Sequence, residues 1–172
     1  MAIISRGRLE MMKLHWKSYL FQCIAASATI FAILLLVSIH RKPIIIASLA
    51  ASTCIVFTIP SYLTARPRNL ICGHLVGLVC GLFVAELVLP YLSPQMVIFE
   101  FWYAFAVGLA IFIMVATDTE HPPAAGTALG VVTLGFSMKL LFTVLISIAF
   151  LAGVHYFFKN RLRDLTCDLS RR

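Results

Sequence analysis

The chain has 172 residues and a formal net charge of +7, and 61% of its residues are hydrophobic while only 12% are charged. Soluble domains average about 45–50% apolar and about 25% charged residues. So little charge leaves too little polar surface to coat a soluble globule, which excludes a soluble catalytic domain and indicates an integral membrane protein. Nucleic-acid binding is not expected, because most cations border apolar runs, as in the cytoplasmic loops of membrane proteins.

The first 18 residues carry four cations and precede the first long apolar run. Leu9, Met12 and Trp16 recur at helical spacing opposite charged residues, which is typical of an amphipathic helix in a membrane interface. A disordered basic tail is the alternative. The expected regions are a basic N-terminal segment 1–18, a transmembrane domain 19–158 and a basic C-terminal tail 159–172.

Four apolar stretches are long enough to cross a hydrocarbon core of about 30 Å, which takes about 20 helical residues. They are Tyr19–Ile39, Leu70–Leu89, Met96–Thr117 and Leu140–Phe158. Two shorter apolar segments, Pro43–Ile59 and Pro123–Ser137, begin with proline, a residue favoured at the first position of a helix. The sequence therefore predicts about six inserted helices, two of them short and rich in small residues.

The positions of the cations predict the orientation. With six crossings and the N-terminus inside, 11 of the 14 Lys and Arg residues lie on the cytoplasmic side, in agreement with the positive-inside rule. Four crossings with two paired re-entrant segments remain an alternative. Each half of the chain has a long, a short and a long apolar segment, so we expect an all-α bundle built as an inverted repeat, a plan found in many transporters.

Glycines recur every four residues in the second long span, at Gly73, Gly77 and Gly81. Four residues are close to one helical turn, so these glycines form a groove that lets another backbone approach closely. Packing between helices of one chain is the simplest role, and contact between two copies in a homo-oligomer is the alternative. His74 lies beside this groove, at a depth where an ionisable side chain needs a partner.

Arg68 and Asn69 precede this groove on the predicted inner side. Asn69 is a candidate cap for the first helical turn. The planar guanidinium of Arg68 would gather small oxyanions at a pore mouth, although topology alone also explains an arginine here.

The stretch from Asp118 to Leu129 is the most informative. Because residues before proline avoid the helical region, His121-Pro122-Pro123 predicts a rigid, extended entry to a helix that begins at Pro123. The free amides and the dipole of that helix would point towards His121, where an anion fits. A rigid turn with solvated acids is the alternative. The candidate substrate-binding residues are Ser48, Ser52, Arg68, Asn69, His74, His121 and Thr127.

The sequence contains no recognisable catalytic or metal-binding signature. The five cysteines lack CxxC spacing and are expected to be reduced and mostly buried, without a metal or cofactor. No phosphate-binding loop or nucleophile elbow is present. The alternatives to transport are a non-transporting scaffold or sensor that uses the glycine groove and, more weakly, a membrane-embedded enzyme using His74 and His121 with Asp118 or Glu120.

The sequence resembles the HPP family of small integral membrane proteins, named after the motif present here as His121-Pro122-Pro123. Similar blocks are Pro67–Leu75 and Ala47–Ser52, whereas Cys72 and Ala124-Ala125-Gly126 depart from glycines that are common in the family. The resemblance implies four spanning helices and, by analogy with plastid and cyanobacterial members, transport of nitrite. With no transit peptide in view, we expect a location in the bilayer of the cell inner membrane, with both termini cytoplasmic.

Overall fold

The computed structural model describes residues 6–37, 42–92 and 99–166, and all regular structure within them is helical. Six α-helices follow one another: α1 Arg6–Val37, α2 Pro43–Thr58, α3 Pro67–Leu82, α4 Phe99–Ala116, α5 Pro123–Leu134 and α6 Met138–Phe158. A π-helical turn and a 3-10 turn continue α3 to Tyr91. Helices α1, α4, α6 and the extended α3 are long and apolar enough to cross a membrane, while α2 and α5 are shorter. The predicted all-α membrane bundle is confirmed.

The basic N-terminal segment and the first crossing form one helix, α1. The backbone of His15 departs from helical geometry (φ −120°, ψ 23°), which kinks the helix before the apolar run. The part of the N-terminal segment that the structure describes is helical, and residues 1–5 lie outside it. Of the C-terminal tail, residues 159–166 are described and 167–172 are not.

The start of α1, the end of α2 and the C-terminal tail meet at one end of the bundle. The hydroxyl of Tyr19 donates to the carbonyl of Leu165 at 2.6 Å, and the amide of Leu165 donates to the carbonyl of Thr58 at 2.8 Å. The side-chain amide of Gln22 also donates to the carbonyl of Arg163 at 2.9 Å. This end holds most of the described cations, namely Lys13, Lys17, Arg66, Arg68, Lys159, Arg161 and Arg163.

The same pairs of helices contact each other when the two halves of the chain are exchanged. Exchanging α1 with α4, α2 with α5 and α3 with α6 converts α1–α2 into α4–α5, α1–α6 into α4–α3, and α2–α6 into α5–α3, although α3–α5 packs much more extensively than α2–α6. The pairs α2–α5 and α3–α6 map onto themselves. This pattern supports the predicted repeat, and it is inverted because α4 ends at the end of the bundle where α1 begins.

Three glycines of α3 let α5 pack against it. A Cβ at Gly77 would clash with the carbonyl oxygen of Ala124, and a Cβ at Gly81 would lie 2.7 Å from that of Ala128. Gly73 faces the residues just before α5. Because these contacts advance in the same direction along both helices, α3 and α5 run parallel. The groove is occupied by a helix of the same chain, so it is closed to a second copy.

The other side of α5 packs against α2. A Cβ at Gly126 would lie 3.3 Å from the Cβ of Ser48, and a Cβ at Gly130 would meet the side chain of Ile45. These contacts advance in opposite directions, so α2 and α5 are antiparallel. Helix α5 has 12 residues, which span about 18 Å at about 1.5 Å per residue. This is shorter than a hydrocarbon core of about 30 Å, and α5 lies inside the bundle between α2 and α3.

We predict that Gly77→Ala destabilises the protein by about 1–3 kcal/mol, because the added methyl group meets a backbone carbonyl that cannot rotate away. Gly153→Ala is the matched control, since a Cβ there meets nothing within 4 Å. That substitution removes a flexible residue from a helix and should be neutral or stabilising by up to about 1 kcal/mol. Thermal unfolding of both purified variants checks the difference, and equal melting temperatures would contradict the packing described here.

Candidate functional site

The turn after α4 directs the chain back into the bundle. The amide of Thr119 donates to the carbonyl of Met114 at 2.9 Å, and that of Asp118 donates to the carbonyl of Val115 at 3.4 Å. These bonds form a Schellman motif, in which the residue after the helix adopts a left-handed conformation. Asp118 does so with φ of 51°, as aspartate tolerates better than most residues. The motif reverses the chain so that His121 points into the bundle.

The His-Pro-Pro entry differs from the extended geometry expected from the sequence. Pro122 is in the right-handed helical region (φ −50°, ψ −38°), because the rigid φ of proline also fits a helix. The amide of Ala124 donates to the carbonyl of His121 at 2.8 Å, and that of Ala125 donates to the carbonyl of Pro122 at 3.2 Å. The expectation of free amides at the start of α5 is therefore wrong, since a backbone in a dry interior satisfies its own donors.

His121 is fully buried where α2, α3 and the start of α5 meet. Its Nδ1 lies 2.7 Å from the carbonyl oxygen of Thr64, which only accepts, so Nδ1 carries a proton. Its Nε2 lies 2.9 Å from Oγ of Ser52. His121 precedes α5 and lies outside the spanning helices. Burial lowers the pKa of its imidazole, and the hydrogen bond to Thr64 acts in the opposite direction.

His74 of α3 is also fully buried and contacts the same serine. Its Nε2 lies 2.9 Å from Oγ of Ser52, and its Nδ1 lies 2.7 Å from Oγ1 of Thr127. The centres of the His74 and His121 rings are 5.1 Å apart. Ser52 therefore joins two imidazoles that are distant in sequence and belong to different halves of the chain.

Ser48 completes the network on the α2 side. Its hydroxyl donates to the carbonyl of Pro123 at 2.6 Å and lies 2.9 Å from Oγ1 of Thr127. A continuous series of contacts thus runs from the Thr64 carbonyl to the Pro123 carbonyl. We call its side chains the polar chain; in order they are His121, Ser52, His74, Thr127 and Ser48. All five are buried, and all were predicted as binding residues.

The structure places Arg68 and Asn69 outside the polar chain. Arg68 is exposed at the end of the bundle and contacts the carbonyl of Thr117 at 3.4 Å. Asn69 is buried and its side-chain amide lies 3.4 Å from the carbonyls of Asp118 and Glu120. Asn69 does not cap α3, because Arg66 is the N-cap residue and Pro67 starts the helix. Asn69 instead holds the reversed α4–α5 connection against α3.

Two features of the site have no signal in the sequence. The Thr64 carbonyl fixes the His121 tautomer, but a backbone acceptor from another loop leaves no trace in residue types.

The second feature is a cleft of about 260 Å³ that opens beside His121. It includes Glu120, of which Oε2 is buried without a hydrogen-bond partner. The cleft is otherwise lined mainly by apolar residues of α4 and α5, among them Ile111, Met114 and Ala125. Glu120 immediately precedes His121 in the sequence and is the acidic residue that lines this cleft.

Chemically, the polar chain offers hydroxyl and imidazole groups and no carboxylate. The 2.9 Å contact between Ser52 and His121 resembles a nucleophile with its general base, but Ser52 itself is fully buried. Within the described residues, no three His, Cys, Asp or Glu side chains are placed to hold a metal ion. Cys23, Cys54, Cys72 and Cys80 are free thiols, and Cys167 lies outside the described residues. The expectation of mostly buried cysteines is wrong, because Cys23 and Cys54 are exposed and only Cys80 of these four is buried; an apolar side chain on a helix that faces lipid needs no burial in protein.

Comparison with known proteins gives one family and two relatives. The family described as "HPP, transmembrane region" matches residues 11–165. A transmembrane protein of Dictyostelium discoideum is 38% identical over 109 residues, which are 59% of this chain and 37% of that protein. A second Dictyostelium transmembrane protein is 37% identical over 94 residues, 54% of this chain and 29% of that protein. The chain thus spans about a third of the length of these relatives. No solved structure matches it.

Proposed function

Because this chain belongs to the HPP family of integral membrane proteins, we propose that it is a membrane transporter for a small inorganic anion, with nitrite as the first candidate. The observation that carries the proposal is the polar chain, in which two fully buried histidines are joined through a serine between the two short helices. Buried ionisable groups inside a membrane bundle are costly, and they mark transport pathways more often than packing sites.

The chemistry of the polar chain suits an anion. An ion that enters a membrane interior loses its hydration, and fixed hydrogen-bond donors must replace the lost water. Such donors are the hydroxyls of Ser48, Ser52 and Thr127 and the N–H groups of the two histidines. The polar chain itself contains no carboxylate that would repel a negative charge. A single nitrite ion would use two or three of these donors.

The polar chain is sealed in this conformation, because its members bond to one another and to carbonyls. A permanently open channel would need a hydrated path, so we favour a transporter that alternates between closed and open arrangements. Helix α5 is short and contacts both α2 and α3, and its movement relative to α2 would separate Ser48 from Thr127. The anion would then occupy the donors that these residues release.

The alternative functions receive less support from the geometry. A scaffold that binds a partner through the glycine groove would need that groove to be free, whereas α5 occupies it. Catalysis by the two histidines with Asp118 or Glu120 would need one of these carboxylates to engage an imidazole, whereas both histidines bond only to hydroxyls and to the Thr64 carbonyl.

The cation-rich end of the bundle sets the proposed orientation. We place the chain in the cell inner membrane with this end, and with it both termini, on the cytoplasmic side. Cysteines introduced at Lys17 and Lys159, in a chain whose native cysteines are replaced by alanine, should react with an impermeant reagent only from the cytoplasm. A cysteine at Lys139, at the start of α6, should react only from outside. Labelling of Lys17 and Lys159 positions on opposite sides would contradict this orientation.

We predict that His121→Ala lowers nitrite flux into proteoliposomes by at least about tenfold, because a hydrogen bond to a charged ligand contributes about 1.5–3 kcal/mol. His121→Gln keeps a donor and should retain part of the flux, but it gains no charge near neutral pH. His155→Gln is the matched control, since His155 is a buried histidine outside the polar chain. Protein-free liposomes report the passive leak, and melting temperatures separate lost transport from lost folding. Wild-type flux in a folded His121→Ala protein would remove His121 from the pathway.

A further inference from the structure

The polar chain ends at a carbonyl oxygen on both sides. Thr64 O accepts from His121 Nδ1, and Pro123 O accepts from the Ser48 hydroxyl. Carbonyl oxygens only accept hydrogen bonds. The proton on His121 Nδ1 and the proton on Ser48 Oγ are therefore committed to the two ends, and neither is available to the contacts between them.

The interior of the polar chain has one contact more than it has protons. Four contacts of 2.7–2.9 Å lie between the two ends: His121–Ser52, Ser52–His74, His74–Thr127 and Thr127–Ser48. When both histidines are neutral, Ser52, His74 and Thr127 bring only three protons to these four contacts. One contact must then bring two lone pairs together. The carbonyl oxygen of Ser48, 3.0 Å from Oγ of Ser52, also accepts from that hydroxyl and competes with the two imidazoles for its proton.

One additional proton completes the polar chain, and either imidazole accommodates it. With the proton on His121, Nε2 donates to Ser52 and Ser52 donates to His74 Nε2. With the proton on His74, both donations reverse. The two states interconvert when the His121 Nε2–H bond breaks as a new Ser52 O–H bond forms, while the original Ser52 O–H bond breaks as a His74 Nε2–H bond forms. Two protons each move along one hydrogen bond, the heavy atoms stay in place, and the net result is the transfer of one proton from His121 to His74.

A positive charge in this position needs a negative partner. The α2 and α5 faces of the polar chain contribute only hydroxyls, and α4 contributes the sulfur of Met114 near Gly73. The α4–α5 connection contributes Glu120, which lines the cleft beside His121, but its carboxylate makes no hydrogen bond to a member of the polar chain. From α6, His155 lies beside Pro60 and Lys159. At the start of α3, Arg66 and Arg68 are exposed. An anion bound at the polar chain would supply the missing charge, so the proton and the anion would stabilise each other in a dry site.

We propose that the polar chain binds one proton together with each anion, and that Ser52 passes this proton between His121 and His74. The inference rests on the proposed function and adds the proton as a second substrate. It makes transport of a monovalent anion electroneutral. It also explains why two histidines from different halves of the chain share one serine.

Nitrite binding to the purified full-length protein in weakly buffered solution, with a pH indicator present, tests the proposal. We expect the protein to take up one proton for each nitrite ion that it binds. By linkage, at pH values at which the free site is unprotonated, the affinity for nitrite should fall about tenfold for each unit by which the pH rises. Nitrite binding with no proton uptake overturns the proton inference and leaves the proposed function standing. Failure of nitrite to bind contradicts the proposed function itself.

Variants of Ser52 give a second test that does not depend on the wild-type stoichiometry. Without the Ser52 hydroxyl, three contacts remain beyond His121: His74–Thr127, Thr127–Ser48 and Ser48 with the Pro123 carbonyl. His74, Thr127 and Ser48 carry three protons for these three contacts, so no additional proton is needed and Ser52→Ala should lose proton uptake. Ser52→Thr retains a hydroxyl and should keep it. Ser147→Ala is the matched control, because Ser147 is a buried serine that donates only to the carbonyl of Thr143 in its own helix. Unchanged proton uptake in a folded Ser52→Ala protein overturns the role of Ser52.

Discussion

At Gly77 the backbones of α3 and α5 approach so closely that no side chain fits between them. The same approach continues at Gly73, where a Cβ would lie 2.7 Å from the Cβ of His121. Since apolar contact alone gives little drive for helix association in lipid, close packing of small residues holds such helices together. The approach brings His121 next to His74, and the site and its chemistry follow from it.

A second constraint comes from the absence of water. Every polar group inside a bilayer must find a partner within the protein. The members of the polar chain find partners in one another and in the carbonyls of Thr64 and Pro123, with one contact short of a proton while both histidines are neutral. The hydrogen bonds that seal the bundle are therefore the ones that an anion would use. In the transport cycle proposed above, opening the site would exchange these internal partners for the anion.

The sequence predicted the elements and residue types because composition, apolar length and proline positions act locally. The four long helices and the two short ones that begin at Pro43 and Pro123 were predicted in this way. The five members of the polar chain were predicted as substrate-binding residues from their donor groups, and the structure brings them together. These local signals do not determine how the segments are arranged in three dimensions. Pro122 was expected to be extended and is helical, and the amides expected to be free at the start of α5 are satisfied.

The position of Asn69 shows the same limit. A polar residue after proline at the start of a helix predicts a cap, but the reversed α4–α5 connection lies close enough to engage its side chain instead. The role of Ser52 could not be predicted for a related reason. A serine on the short helix α2 is predicted to be a hydrogen-bond donor, whereas its position between two imidazoles depends on how α2, α3 and the start of α5 pack together.

If the polar chain is the anion site, α5 must separate from α2 before an anion reaches it. A Cβ at Gly130 would lie 2.9 Å from Cγ1 of Ile45, so cysteines at these two positions are close enough to form a disulfide between α2 and α5, and neither residue belongs to the polar chain. The test is nitrite flux through an Ile45→Cys, Gly130→Cys protein without native cysteines, compared with both single variants before and after oxidation. Oxidation should stop flux only in the double variant, and a reductant should restore it. Full flux through quantitatively cross-linked protein would contradict the requirement that α5 separates from α2.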